Sequence, residues 1–212
     1  MPEREKSLAV AKIGVFGGTF NPPHLGHLHI VTTFAGTYDL DEVLIIPTYI
    51  PPHKAPVDLA SGEERLELCR LAFQDPRFVI SPMELVREGA SYTVDTLRAL
   101  KEAYGEDTEL YFLVGDDMLL YLPKWKDPEE LLRLAHFVSS VRSEDLTLET
   151  LEAFAKEHYP EQYAAGRFLF MPMKPLELSS TEVRESHKKG MDISHMVTKE
   201  VADYIEEKGL YV

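Results

Sequence analysis

Cysteine is nearly missing from this chain: Cys69 is the only one in 212 residues. That excludes a disulfide framework, and a lone thiol in a helical-looking stretch reads as a small buried apolar side chain in a reducing compartment. Long apolar runs are missing as well. Nothing approaches the roughly 18 consecutive apolar residues of a membrane span, and the amino end, MPEREKSLAVAKIG, has no apolar core of the signal-peptide kind. The expectation is a cytoplasmic protein with no membrane contact. Positive charge is scarce: 22 Lys and Arg stand against 36 Asp and Glu, a formal net charge of -14. A broad nucleic-acid surface needs clustered cations to displace counterions, so none is expected here. An anionic ligand must instead meet a local positive pocket. Internal repeats and low-complexity tracts are also absent.

What is present is an alternation. Apolar runs recur as KIGVF (12–16), EVLIIP (42–47), RFVISPM (77–83), ELYFLVG (109–115), HFVSSV (136–141) and RFLFMP (167–172), each reading as a buried strand. Between them, residues 26–34, 62–73, 93–104, 128–134 and 148–158 carry apolar positions at three- and four-residue spacing, which predicts helices. Strands alternating with helices imply right-handed crossovers and a doubly wound parallel sheet, an α/β fold. After Pro175 only helical patterns follow. Residues 1–212 are therefore expected to form one domain, with 175–212 as a small C-terminal helical lobe. In such sheets the ligand crevice lies at the carboxyl ends of the strands, which directs attention to the loops after Phe16, Ile46, Met83, Val114 and Phe170.

The first of these loops, GGTFNPPHLGH (17–27), is unusually rich in special residues. Gly17 and Gly18 let backbone approach a ligand, and the amides of the helix start that follows favour an anion. A glycine pair alone marks many ordinary turns. His24 and His27, three apart, share one face of a first helical turn, and Gly26 between them carries no side chain to crowd a ligand. Zinc would need further ligands of suitable softness, so a pair of hydrogen-bond donors is the better reading. His29, just beyond, reads as a satisfied core histidine.

The second loop, PTYIPPHKAP (47–56), stiffens the chain with Pro51 and Pro52 ahead of His53 and Lys54, and Lys54 can offer charge to phosphate. In EGASYTVDTL (88–97), Thr93 reads as an N-cap with Asp95 in the first turn, and the helix start can bind its own caps or an external carboxylate. In VGDDMLLYLPKWKD (114–127), Asp116 and Asp117 stand at a strand end, suited to ribose hydroxyls. Trp125 follows, flanked by lysines and suited to stacking on a flat ring. In PLELSSTEVRESHKKG (175–190), Ser179 and Glu182 fit a capping box, which leaves Ser180, Thr181 and Arg184 to be explained together, as a set suited to phosphate oxygens.

GGTFNPPHLGH resembles the amino-terminal signature of the nucleotidylyltransferase superfamily, with its H-x-G-H element, and the order of IPPHK, SYTVDTL, VGDDMLLYLPKW, LSSTEVR and YIEEKGLY is similar to bacterial nicotinate-nucleotide adenylyltransferases. The resemblance runs from about Ile13 to Tyr211. It implies a Rossmann-like fold and transfer of AMP from ATP to nicotinic acid mononucleotide, with Mg²⁺ carried by the triphosphate. It further implies that His24, His27, Lys54 and Arg184 act in catalysis. ATP would meet Gly17, Gly18, Thr19, Phe20, Gly115, Asp117, Ser180 and Thr181, and the mononucleotide Ser91, Tyr92, Thr93, Trp125 and Arg142. Asn21 stands where aspartate is commoner, Asp116 replaces a usual alanine, and the residues after Arg142 lack the usual proline and glycine.

Three alternatives stay open on the sequence: a transferase for nicotinamide mononucleotide or another phosphate acceptor, a non-catalytic nucleotide-binding module, and a fragment of a class I aminoacyl-tRNA synthetase. The histidine pair and Arg184 speak against the second, and the lack of a lysine-rich KMSKS-like segment against the third. Homo-oligomerisation is left open.

Overall fold

The computed structural model describes residues 11–49, 58–141, 146–173 and 176–212. Its chain order is β1 (Lys12–Gly18), α1 (Leu25–Thr37), β2 (Glu42–Pro47), α2 (Gly62–Ala72), β3 (Phe78–Ile80), α3 (Met83–Arg87), α4 (Thr93–Tyr104), β4 (Glu109–Gly115), α5 (Asp116–Leu120), α6 (Pro128–Leu134), β5 (Ala135–Ser140), α7 (Leu148–His158), α8 (Pro160–Ala164), β6 (Phe168–Phe170), α9 (Ser180–Lys188) and α10 (Lys199–Lys208). The strands form one parallel sheet in the order β3-β2-β1-β4-β5-β6. The order reverses between β1 and β4, so the carboxyl ends of these two central strands open a crevice.

Both faces of the sheet are buried, which is why its strands read as continuous apolar runs. Period two sorts their residues between two cores. Phe16, Val43, Ile45, Tyr111 and Leu113 face one side, packed with Val31 and Phe34 of α1, Leu68 and Cys69 of α2, Val183 of α9 and Ile205 of α10. Val15, Leu44, Ile46, Phe112 and Val114 face the other, with Leu97 of α4, Leu131 of α6 and Leu151 of α7. Each fully buried Leu, Ile or Phe contributes about 1.5–3 kcal/mol. Gly14 sets the spacing of α1 on β1: a Cβ there would come within 2.8 Å of Leu40 and 2.9 Å of Phe34.

The strand expected over 77–83 stops at Ile80, because Pro82 precedes the short helix α3. Helices α3, α5 and α8, each of five residues, were not expected; a segment that short shows no helical period. Helices α9 and α10 join the α1 and α2 side of the core. Among the described residues no helix is long and apolar enough to cross a membrane.

Candidate active site

A cavity of about 380 Å³ lies over the carboxyl ends of β1, β2, β4 and β5. Gly17, Gly18, Thr19, His24 and His27 line one end of it, Ser91, Tyr92, Thr93 and Trp125 the other, and Gly115 and Asp117 the floor between. The sheet thus brings together residues far apart in the sequence, from Gly17 to Trp125.

At the first end, His24 is the N-cap of α1. Its Nδ1 accepts the His27 amide at 3.3 Å, while Nδ1 of His27 accepts the His24 amide at 3.2 Å. This is a capping box built from two imidazoles, whose rings stack with centroids 3.7 Å apart. A nitrogen that accepts an amide proton carries none itself, so each ring keeps its proton on Nε2 as a donor. Gly26 lines the cavity and also makes room for the imidazole pair: a Cβ there would meet the His24 ring at 3.0 Å. Gly18 likewise yields to the Phe20 ring, whereas a Cβ on Gly17 would enter open space. His29, expected in the core, is exposed.

Phe20 lies behind the loop. Its side chain is 2% exposed and packs edge-on against Phe16, His27 and Phe73, so it supports the loop from below and does not line the cavity. Its φ of 48° lies in the left-handed region, uncommon for a phenylalanine and held here by that packing. Below it sits Arg65, which sequence reading missed. Arg65 is 2% exposed and donates to the carbonyls of Thr19, at 2.9 Å, and Ala60, at 3.2 Å. Burial pushes its pKa down from the ordinary arginine value. The signal was faint, since an arginine inside GEERLELCR reads as a surface residue of an amphipathic helix.

Ser180, Thr181 and Arg184 reach the first loop from α9 but do not line the cavity. Ser180 Oγ donates to the Pro22 carbonyl at 2.8 Å, and Arg184 donates to the Asn21 carbonyl at 2.8 Å and to Thr181 Oγ1 at 3.3 Å. Ser179 caps α9 by accepting the Glu182 amide; the reciprocal half of the expected capping box is not formed. Lys54 and Arg142 lie outside the described residues.

At the far end, α4 starts at Thr93, the residue expected to cap it. Tyr92, not Thr93, is the N-cap, and no side chain caps the helix. Asp95 turns outward to Arg98 and Lys126. The start of α4 therefore lines the cavity without a side-chain acceptor, although the Asp95 amide donates to the Tyr92 carbonyl at 3.1 Å. Lys126 also lies over the Tyr92 ring at 4.8 Å, tying the Trp125 turn to this helix start. Trp125 is half-buried, edge-on to Phe112 and Phe137. Asp116 is fully buried and accepts the Asp117 amide through Oδ1, while Asp117 is exposed on the cavity floor. Glu84, Thr48 and Ser140, which sequence reading also missed, line the cavity as well, as do Lys124 and Lys126. Among the described residues no three His, Cys, Asp or Glu side chains converge on a metal position.

The parallel sheet with its crevice at the β1/β4 reversal, and paired imidazoles at the first helix start, define a nucleotidyltransferase of the Rossmann-like kind. The chain belongs to the cytidylyltransferase-like family, whose model matches residues 15–186, and within it to the nicotinate-nucleotide adenylyltransferases. It is 41% identical over 201 residues to the probable nicotinate-nucleotide adenylyltransferase of Shouchella clausii, covering 94% of this chain and 96% of that one. It is 40% identical to the nicotinate-nucleotide adenylyltransferase of Bacillus subtilis, covering 94% and 98%. The same fold is seen in Plasmodium falciparum nicotinic acid mononucleotide adenylyltransferase, solved in complexes with APC and with NaAD. Each has a TM-score of 0.74, at 19% and 18% identity, over 95% of this chain and 97% of that one.

Proposed function

We propose that this chain transfers AMP from ATP to nicotinic acid mononucleotide, forming deamido-NAD and releasing pyrophosphate, a reading supported by relatives named nicotinate-nucleotide adenylyltransferases. The observation that carries the assignment of residues is the imidazole capping box at one end of a cavity whose other end is an uncapped helix start beside a tryptophan.

The chemical problem is attack by one phosphate on another, with negative charge spread over the α-phosphate and the leaving pyrophosphate. Positioning and directed positive charge suffice for it, and no covalent intermediate is required. ATP enters as its Mg²⁺ complex. Gly17, Gly18 and Thr19 cradle it with backbone, and His24 and His27 direct their Nε2 protons to phosphate oxygens. Lys54 and Arg184 add charge; Ser180 and Thr181 reach the same oxygens once exchanged from the Pro22 and Arg184 contacts. Gly115 and Asp117 face the nucleoside, and Phe20 acts by holding the loop. The mononucleotide sits against Ser91, Tyr92 and Thr93, its ring on Trp125, and Arg142 is assigned to the same substrate. We read residues 1–212 as one nucleotidylyltransferase domain with 175–212 as its helical lobe, acting in the cytoplasm.

Purified protein given ATP, Mg²⁺ and each pyridine mononucleotide in turn, with pyrophosphate and dinucleotide quantified, tests the reading. Rapid deamido-NAD formation is expected, and no turnover of either mononucleotide would overturn it.

A further inference from the structure

One carboxylate of the mononucleotide end has no role so far. Glu84, in the first turn of α3, is 5% exposed and lines the cavity. Its Oε1 accepts the Thr96 hydroxyl at 2.6 Å and stands 3.9 Å from the Arg87 guanidinium. Its Oε2 is buried with no hydrogen-bond partner. A buried, half-satisfied carboxylate is costly, and a fold keeps one where a ligand repays the cost.

We propose that Glu84 is a specificity-determining counter-charge for the cationic ring of the mononucleotide. This rests on the substrate reading above. A pyridine bonded through its nitrogen to ribose is a pyridinium, positively charged as a whole ring, and the acid form carries a carboxylate at the ring's edge. The far end of the cavity is polarised to match such a zwitterion. The uncapped start of α4 favours the edge carboxylate, and Glu84, packed under the same first turn through Thr96, favours the ring. Asp95 is held away by Lys126 and Arg98, which leaves Glu84 as the acidic side chain lining this end. Trp125 adds a ring face that suits a flat cation. Thr96 does not need the charge of Glu84, because an amide oxygen would accept its hydroxyl equally well. The cation beside it, Arg87, stands 3.9 Å from Oε1 and donates to Thr96 Oγ1 at 3.0 Å instead, so no hydrogen-bonded ion pair takes up the charge of Glu84.

The test compares nicotinic acid mononucleotide with its 1,4-dihydro form, which keeps the edge carboxylate, ribose and phosphate but has a neutral ring. Dissociation constants of both are measured by calorimetry on the full chain, beside steady-state constants for ATP. The wild type is expected to prefer the cationic ring by about tenfold or more, as an opposite charge within several ångströms in a partly buried site would give. Glu84→Gln, which keeps the size and the acceptor for Thr96, should bring that ratio to within about twofold, leaving the KM for ATP unchanged. Glu84→Asp, which retracts the charge by one methylene and guards against misfolding of the first variant, should give an intermediate ratio. A wild type with no preference, or a ratio unaltered in the variants whatever their absolute affinities, overturns the proposal. Failure of the substrate reading is distinct: the wild type would then turn over neither mononucleotide, before any variant is made.

Discussion

On the proposed mechanism the two histidines are structural and chemical at once, because the nitrogen that caps the helix is the one that fixes the proton on the other. Removing either imidazole therefore has two effects. His27→Ala should lower kcat on the order of a hundredfold, as loss of one directed transition-state donor does. It should also cost about 1 kcal/mol of stability through the lost cap. Steady-state kinetics beside urea denaturation separate the two, and near-normal kcat in a variant of reduced stability would leave His27 a cap only. Trp125→Ala is expected to behave differently. Stacking on the ring is much the same in ground and transition states, so KM for the mononucleotide should rise while KM for ATP stays put. An equal effect on both substrates would make Trp125 a wall of the core, where it already touches Phe112 and Phe137. The histidine pair was legible in the sequence through its spacing around Gly26, and Trp125 because it is the only tryptophan. Arg65 and Glu84 were not: charged residues on short or amphipathic helices look alike whether they point outward or inward, and only the packing of Thr19 on α2, and of Thr96 on α3, reveals which way these two point.

At the scale of elements the strands were the most readable part, since a sheet buried on both faces writes itself as apolar runs, and β2 and β4 begin and end where those runs do. Helix α4 shows where reading failed and why it matters. Thr93 has the chemistry of a cap, but Tyr92 takes the position with extended backbone, and the helix start is left without a side-chain acceptor. This strengthens the expectation that the site prefers acid over amide. A carboxylate gains charge-assisted bonds from the first amides and the positive end of the dipole, exceeding neutral bonds by roughly 1 kcal/mol each. The NH₂ of a carboxamide would face donors instead. Two such contacts predict a preference on the order of a hundredfold in kcat/KM for nicotinic acid mononucleotide over nicotinamide mononucleotide. Competition of the two at limiting ATP, with the dinucleotides separated and quantified, measures it. Equal use would mean that α4 leaves the substituent unread.

At the scale of the molecule, the chain closes on its own beginning. Tyr211 donates its hydroxyl to Asn21 Oδ1 at 2.8 Å across 190 residues, and Asn21 in turn accepts the Ala60 amide and donates to the Asp58 carbonyl. Arg184, Ser180 and the Met196 carbonyl bind the same loop, and Lys188 pairs with Asp58. The loop over residues 17–27 is thus held by Arg65 of α2 and by Ser180 and Arg184 of α9, which ties these helices mechanically to the cavity. Burial pushes the Tyr211 phenol well above its usual range, against the pull of Arg184 and Arg65. Burial first, then Glu109, raises Tyr111 to about 12. For a phenol whose folded pKa is raised, the stabilisation is complete below the unfolded value, near 10, and is lost as pH climbs from there toward the folded value. Stability should therefore hold through neutral pH and fall above about pH 10, by up to about 1.4 kcal/mol per pH unit for each such phenol. Tyr211→Phe dissects this. At about pH 8 it should lose about 1 kcal/mol with the buried hydroxyl bond. Above about pH 10 its decline should be shallower than the wild type's, because one titrating group is gone, and the two curves should converge. The same variant frees Asn21 from its clamp, so KM for ATP should rise several-fold with the mononucleotide KM unchanged. Urea midpoints across the pH series and kinetics with each substrate varied read both effects; a stability gap that stays constant to pH 11, together with an unmoved KM for ATP, would show that the tail only covers the loop and does not hold it.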